Sequence, residues 1–314
     1  MIALAEIEAA RERIAGAAVR TPLVRLYADL PAGTEVYLKL ETLQPIGSFK
    51  VRGATNAILS ASAQARAGGL VTASAGNMAQ GLAWAARDLG LSATIAVPDH
   101  APEAKLAAIE RLGGRVLKMP YDDWWNVIVT SRVEGVRGMF VHPVEDEGVM
   151  AGNGTIGLEI LEDLPDPDTV LIPYGGGGLT VGIASALRAL RPETKIYAVE
   201  PATGAALGAA LAAGAPTEVD YQASFVDGAG SRRVLEPMWP RVSELIDGAI
   251  AVSVKETAAA VRLLAGRARV VAEGAGALAV AAAVSGAAGA GKVVCIVSGG
   301  NINLGTLAEI LAGG

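Results

Sequence analysis

The chain has 314 residues, enough for two globular domains, and its composition of 52% apolar, 18% charged and 4% aromatic residues excludes a disordered polymer, because there is ample side-chain surface to offset the entropy of ordering. A net charge of -6 without any basic run argues against nucleic acid or an anionic membrane surface as a partner. The single cysteine, Cys295, excludes a disulfide framework and fits a reducing cytoplasm.

Glu6, Glu8, Arg11 and Arg13 break up the N-terminal segment, so no apolar targeting core forms there. Strand-like runs then recur at 35–39, 69–73, 93–97, 114–118, 138–141, 169–172, 195–199 and 292–297. Between them lie windows with i, i+3, i+4 apolar spacing, at 78–89, 105–112 and 179–190, which predict helices. A further helix is expected at 122–136, capped by Asp122 or Asp123 and buried by Trp124 and Trp125. Near-continuous apolar strands alternating with helices predict an α/β protein of open, twisted, mostly parallel sheets flanked by helices. The most apolar stretch, 276–291, is mainly Ala and Gly and lacks the content of a spanning helix. A soluble cytoplasmic protein is expected.

Four glycine-bearing turns follow strand-like runs: Ser74-Ala75-Gly76-Asn77, Gly175-Gly176-Gly177-Gly178, Asp227-Gly228-Ala229-Gly230-Ser231 and Ser298-Gly299-Gly300-Asn301. Ligands of open α/β sheets bind at the carboxyl ends of strands, so each turn is a candidate site wall. In the tetraglycine turn, backbone N–H groups can approach an anion closely, and the helix expected from Leu179 aims its positive end at the same point. No Gly-Lys-Ser/Thr follows, so it is not a P-loop. A dinucleotide site is the alternative, with Glu200 as the ribose-binding acid, although G-x-G-x-x-G fails in register. A plain tight turn also fits.

The second signal is Ser48-Phe49-Lys50-Val51-Arg52-Gly53. Helix formers follow, which places Lys50 in a first helical turn. The positive helix end and the apolar surroundings both lower a lysine pKa, as a Schiff-base amine requires. Read alone, the position also suits a snorkelling surface lysine.

Taken together, these four blocks in this order resemble the fold type II (β-family, tryptophan synthase β-like) pyridoxal-phosphate enzymes, in particular the serine/threonine dehydratase group that includes serine racemase. The resemblance runs from Thr21-Pro22-Leu23 to Ser298. It implies a large cofactor domain, residues 1–67 and 145–314, a small domain, residues 68–144, and no C-terminal regulatory domain, so feedback by isoleucine is not expected. Lys50 would carry pyridoxal 5'-phosphate, with Phe49 against its ring and Asn77 bonded to its phenolic oxygen. Gly175, Gly176, Gly177, Gly178 and Leu179 would hold its phosphate, Ser298 would face the pyridine nitrogen, and Glu273 would lie by the ring edge. Ser74, Ala75, Gly76, Asn77, Trp124 and Ser231 would bind the substrate, with Lys50 and Ser74 catalytic. The activity implied is loss of water from a β-hydroxy amino acid of the threonine/serine type, giving a 2-oxo acid and ammonia, in a homodimer.

Several departures qualify this picture. Ala75 stands where serine racemases carry a second serine, so elimination is expected to dominate racemisation. Met78 replaces a common histidine, and His100 and His142 are expected as surface or strand-end groups without a catalytic role. Trp124 and Trp125 stand where racemase-like members carry an arginine. Two readings stand open there: a buried helix face, or a lid that admits a bulky side chain such as that of phenylserine. No carboxylate follows Glu200 at the family's cation site, so no metal is expected, and Glu145-Asp146-Glu147 is expected as a solvated turn. Two rivals are β-replacement, disfavoured by Gly76-Asn77-Met78-Ala79-Gln80-Gly81, and a non-catalytic nucleotide-binding module.

Overall fold

A computed structural model describes residues 1–313. Ten strands are β1 (Leu23–Arg25), β2 (Thr34–Leu40), β3 (Leu70–Ala73), β4 (Ala93–Pro98), β5 (Gly114–Met119), β6 (Met139–Phe140), β7 (Thr169–Pro173), β8 (Lys195–Pro201), β9 (Gly248–Val252) and β10 (Gly291–Val297). Eight coincide with the predicted runs to within two residues. The two unforeseen strands are edges: β1 has three residues, and β9 reads Gly-Ala-Ile-Ala-Val. Neither carries a β-branched run; each takes its conformation from its neighbour.

Six strands form one sheet in the order β1-β2-β10-β7-β8-β9, and four form a second in the order β5-β4-β3-β6. Only β1 runs antiparallel to its neighbour. Buried aliphatic side chains fill both faces of the larger sheet, with Ile172, Ile196 and Ile296 in one cluster and Val36, Leu38 and Val293 in the other. The apolar stretch near 276 forms the helix Gly274–Val284, whose buried residues run from Gly274 through Ala283. It belongs to the core of the larger sheet.

The helix Lys50–Ser60 packs against the helices Asn77–Asp88 and Glu147–Asp163. The approach is close enough that a Cβ on Gly152 would meet the carbonyl of Arg52 at 2.5 Å, and one on Gly81 would meet that of Lys50 at 3.1 Å. Below the helix, Arg52 is buried between two carboxylates, 2.8 Å from Glu41 and 2.7 Å from Glu159. Lys39 also bonds Glu159 at 2.6 Å. Burial works against the charge on Arg52, but Glu41 and Glu159 outweigh it and raise its pKa. The chain entering this helix is tied across the sheet by Phe49 N–H donating to the Ser298 carbonyl at 3.0 Å.

Three local expectations are corrected. The helix expected at 122–136 is Tyr121–Thr130, ended by Ser131 in the left-handed region at φ 54°; Pro120 precedes it without a side-chain cap, and Asp122 and Asp123 lie in its first turn. The Asp227–Ser231 turn follows no strand and lies in an irregular segment. The Glu145-Asp146-Glu147 turn is not merely solvated: Asp146 accepts the Val149 N–H at 3.1 Å and caps the helix Glu147–Asp163.

Candidate active site

A cavity of about 450 Å³ opens where chain leaves the carboxyl ends of β3, β6, β7 and β10, as expected of open α/β sheets. Around it the fold gathers Phe49, Lys50, Ser74, Ala75, Gly76, Asn77, Trp124, Gly175, Gly176, Gly177, Gly178, Leu179, Ser231, Glu273 and Ser298. It also brings in Pro143 and Val144, which no sequence motif marked; the available signal was their place just beyond β6.

Lys50 opens its helix, where the first N–H groups lack helical acceptors. Its Nζ donates to the Pro143 carbonyl at 2.9 Å and lies 5.1 Å from the Phe49 ring centre. Among the described residues no carboxylate pairs with it, and burial lowers its pKa to about 8. An appreciable fraction of neutral, nucleophilic amine is therefore present near neutrality.

The glycine turn lines the same cavity. Gly177 adopts φ 97° at the N-cap of the helix Gly178–Leu190, a backbone setting that favours glycine. A Cβ on Gly176 would strike the Val144 side chain, and one on Gly178 would meet the Val144 carbonyl at 2.9 Å. Among the described residues, the N–H groups of Gly175 through Leu179 find no backbone acceptor. They form a concave set of donors at a helix N-terminus, which suits a phosphate.

Polar groups from three further segments line the cavity as well. Asn77 Nδ2 donates to Glu273 Oε1 at 2.7 Å, while its Oδ1 accepts from Asn301 at 2.7 Å. Burial pushes the Glu273 carboxyl up to about 7, against the bond from Asn77. Ser74 Oγ accepts the Gly76 N–H at 3.2 Å, so it closes a turn rather than capping the helix Asn77–Asp88, whose N-cap is Gly76. Ser231 also lines the cavity, and its Oγ is buried without a partner among the described residues.

The aromatic wall differs from a buried helix face. Trp124 donates from Nε1 to the Ala96 carbonyl at 3.1 Å, whereas Trp125 is 45% exposed; both line the cavity. At the mouth, Lys105 and Asp227 meet at 2.6 Å. His100 is exposed beside Asp99. His142 is a buried group just beyond β6. Glu200 is buried away from the cavity and accepts the N–H groups of Leu207 and Gly208, each at 2.9 Å. It is therefore not presented to a ribose. Among the described residues no three His, Cys, Asp or Glu side chains form a metal cluster, and no helix is long and apolar enough to cross a membrane.

A buried lysine and a run of glycine N–H groups without backbone acceptors, lining one cavity at the carboxyl ends of two mostly parallel sheets, form an α/β site suited to a phosphate-bearing carbonyl cofactor. Residues 14–299 match the family described as pyridoxal-phosphate dependent enzyme, and the chain belongs to it. It is 39% identical to an L-threonine ammonia-lyase of Thermotoga maritima over 99% of this chain and 78% of that one. It is also 39% identical to a catabolic L-threonine dehydratase of Staphylococcus aureus, over 100% of this chain and 93% of that one. The structure of maize serine racemase superposes with a TM-score of 0.90 at 31% identity, covering 99% of this chain and 97% of that one. Family membership sets aside the non-catalytic nucleotide-binding alternative.

Proposed function

We propose that the chain removes water from a β-hydroxy amino acid of the threonine/serine type, releasing a 2-oxo acid and ammonia. The observation that carries this is the pairing, in one cavity, of the neutralisable Lys50 amine with the Gly175–Gly178 cradle. The residues present suit pyridoxal phosphate: Lys50 to hold its aldehyde carbon, the glycine N–H groups and Leu179 its phosphate, Asn77 its phenolic oxygen, and Ser298 its ring nitrogen. Phe49 and Glu273 would border the ring. When bound, the cofactor supplies an electron-accepting ring that stabilises charge at the substrate α-carbon.

The chain's own groups orient the substrate and move its protons. Lys50 Nζ, once free, takes the α-proton. The turn Ser74-Ala75-Gly76-Asn77 and the free N–H groups opening the following helix receive the substrate carboxylate. Ser231 Oγ bonds a substrate polar group, a role supported by its having no protein partner among the described residues. Ala75 offers no hydroxyl, so no second acid/base is supplied at that position and elimination outruns racemisation. Residues 68–144 act as a small domain against the large one formed by 1–67 and 145–314, in a cytoplasmic homodimer. The apolar-rich composition and lone buried Cys295 support that setting.

A second substrate reading, a bulky β-substituent as in 3-phenylserine, is favoured by Trp124 and Trp125 on the cavity wall. The test is a panel of β-hydroxy amino acids scored for 2-oxo acid and ammonia, with borohydride used to fix the cofactor. Turnover of threonine or serine with label on Lys50 is expected. Absence of near-visible absorbance, or label on another lysine, overturns the assignment.

A further inference from the structure

His142 takes no part in the chemistry above, yet it is buried and fully bonded. Its Nδ1 accepts the N–H groups of Val144 at 3.1 Å and Glu145 at 2.8 Å. A nitrogen accepting two N–H groups carries no proton, so Nε2 holds it and donates to the Ile128 carbonyl at 3.2 Å. The loop folded by these bonds contains Pro143, whose carbonyl receives Lys50 Nζ, and Val144, which lies against Gly176 and Gly178. Ile128 belongs to the helix that carries Trp124 and Trp125. One imidazole thus links three walls of the cavity: lysine, phosphate cradle and aromatic helix.

We propose that neutral His142 is a positioning residue, which holds the Pro143–Val144 loop so that the Lys50 amine and the glycine cradle face each other in register. The proposal rests on the cofactor-binding role of Lys50 stated above. Protonation at Nδ1 replaces an acceptor by a donor facing two N–H groups, so the loop must open as the imidazolium forms. Burial is the main influence lowering the His142 pKa. Glu145 and Asp146 favour the cation, and Lys50 opposes it. The loop is therefore held above the lowered His142 pKa and released as pH falls through it.

The test compares His142→Asn with His142→Ala in the cofactor-free chain. Asn Oδ1 stands on the same bonds as Nδ1, can accept the same two N–H groups, and does not titrate. Two signals are read: amide exchange of Val144 and Glu145, and the rate of pyridoxal phosphate capture against pH, followed by absorbance. In the parent, proton inhibition of capture should steepen from first to second order as His142 joins Lys50 in titrating. His142→Asn should keep the amide protection, capture the cofactor at near-parental rate, and lose the second-order limb. His142→Ala should lose the protection and capture about tenfold more slowly, the factor carried by one hydrogen bond of ordinary strength. Parental exchange and capture in His142→Ala, or a second-order limb persisting in His142→Asn, overturns the proposal. If His142→Ala does not fold, the limb in His142→Asn decides alone. Borohydride labelling away from Lys50 would instead defeat the functional assignment, whatever the two amides do.

Discussion

Asn77 Nδ2 donates to Glu273 Oε1 at 2.7 Å, joining the turn after β3 to the start of the helix Gly274–Val284. The acceptor is desolvated, and its pKa is pushed up to about 7 from the ordinary 4.5. A carboxyl raised in the folded state stabilises the fold while protonated, and that contribution is lost as pH rises between those values. Glu273→Gln should therefore gain stability over the parent as pH rises, read by urea unfolding of the cofactor-free chain at about pH 5 and about pH 8. Glu200, also raised to about 7 by burial, leaves part of the slope in the variant. Parallel stability curves for the two proteins would contradict the assignment.

The cradle makes a prediction about which glycine can be rescued. Added to Gly176, a Cβ strikes the Val144 side chain; added to Gly178, it meets the Val144 backbone carbonyl. Either alanine substitution should cost about 1–3 kcal/mol of overpacking, or roughly five- to 150-fold in cofactor affinity where the strain is felt on binding. Val144→Ala should restore Gly176→Ala and leave Gly178→Ala impaired. Absorbance titrations with pyridoxal phosphate measure all four proteins, and equal rescue of both would refute this geometry.

Arg52 neutralises two buried carboxylates at once. Arg52→Met leaves Glu41 and Glu159 with only Lys39 as cation, and breaking such a network by removing one partner costs about 3–5 kcal/mol. Arg52→Lys should recover only part, because an ammonium cannot reproduce the fork that reaches both carboxylates. The urea midpoint reports the outcome; a midpoint near the parental one would show the cluster to be dispensable.

Trp124 is held by its indole N–H on the Ala96 carbonyl, so its ring presents a fixed surface. If that surface receives an aromatic β-substituent, Trp124→Ala should lower kcat/KM for 3-phenylserine about tenfold and change that for threonine much less. A strong parental preference for threonine removes the aromatic pocket from consideration.

Much of this was legible because strand periodicity and glycine turns are local signals. The tetraglycine turn and Lys50 were marked by residue type alone, and the fold brings both to one cavity. Pro143 and Val144 were not, since nothing in their chemistry distinguishes them from ordinary loop residues; their importance comes from what they touch. Ser74 precedes a helical window as a cap would, but its hydroxyl bonds Gly76 two residues on, a competing local turn. β9, with alanine and glycine in place of β-branched residues, becomes a strand only because β8 lies beside it.

The pairing of β2 with β10 has a consequence for how the protein is made. Lys39 pairs with Ile296, and Phe49 is anchored on Ser298, so the strand that seats the lysine helix emerges from the ribosome long after the helix itself. Contacts this remote in sequence form late and slowly. A nascent chain therefore carries Lys50 without the Ser298 side of its cavity until β10 has been made. The cavity around its amine is complete only once segments about 250 residues apart have met.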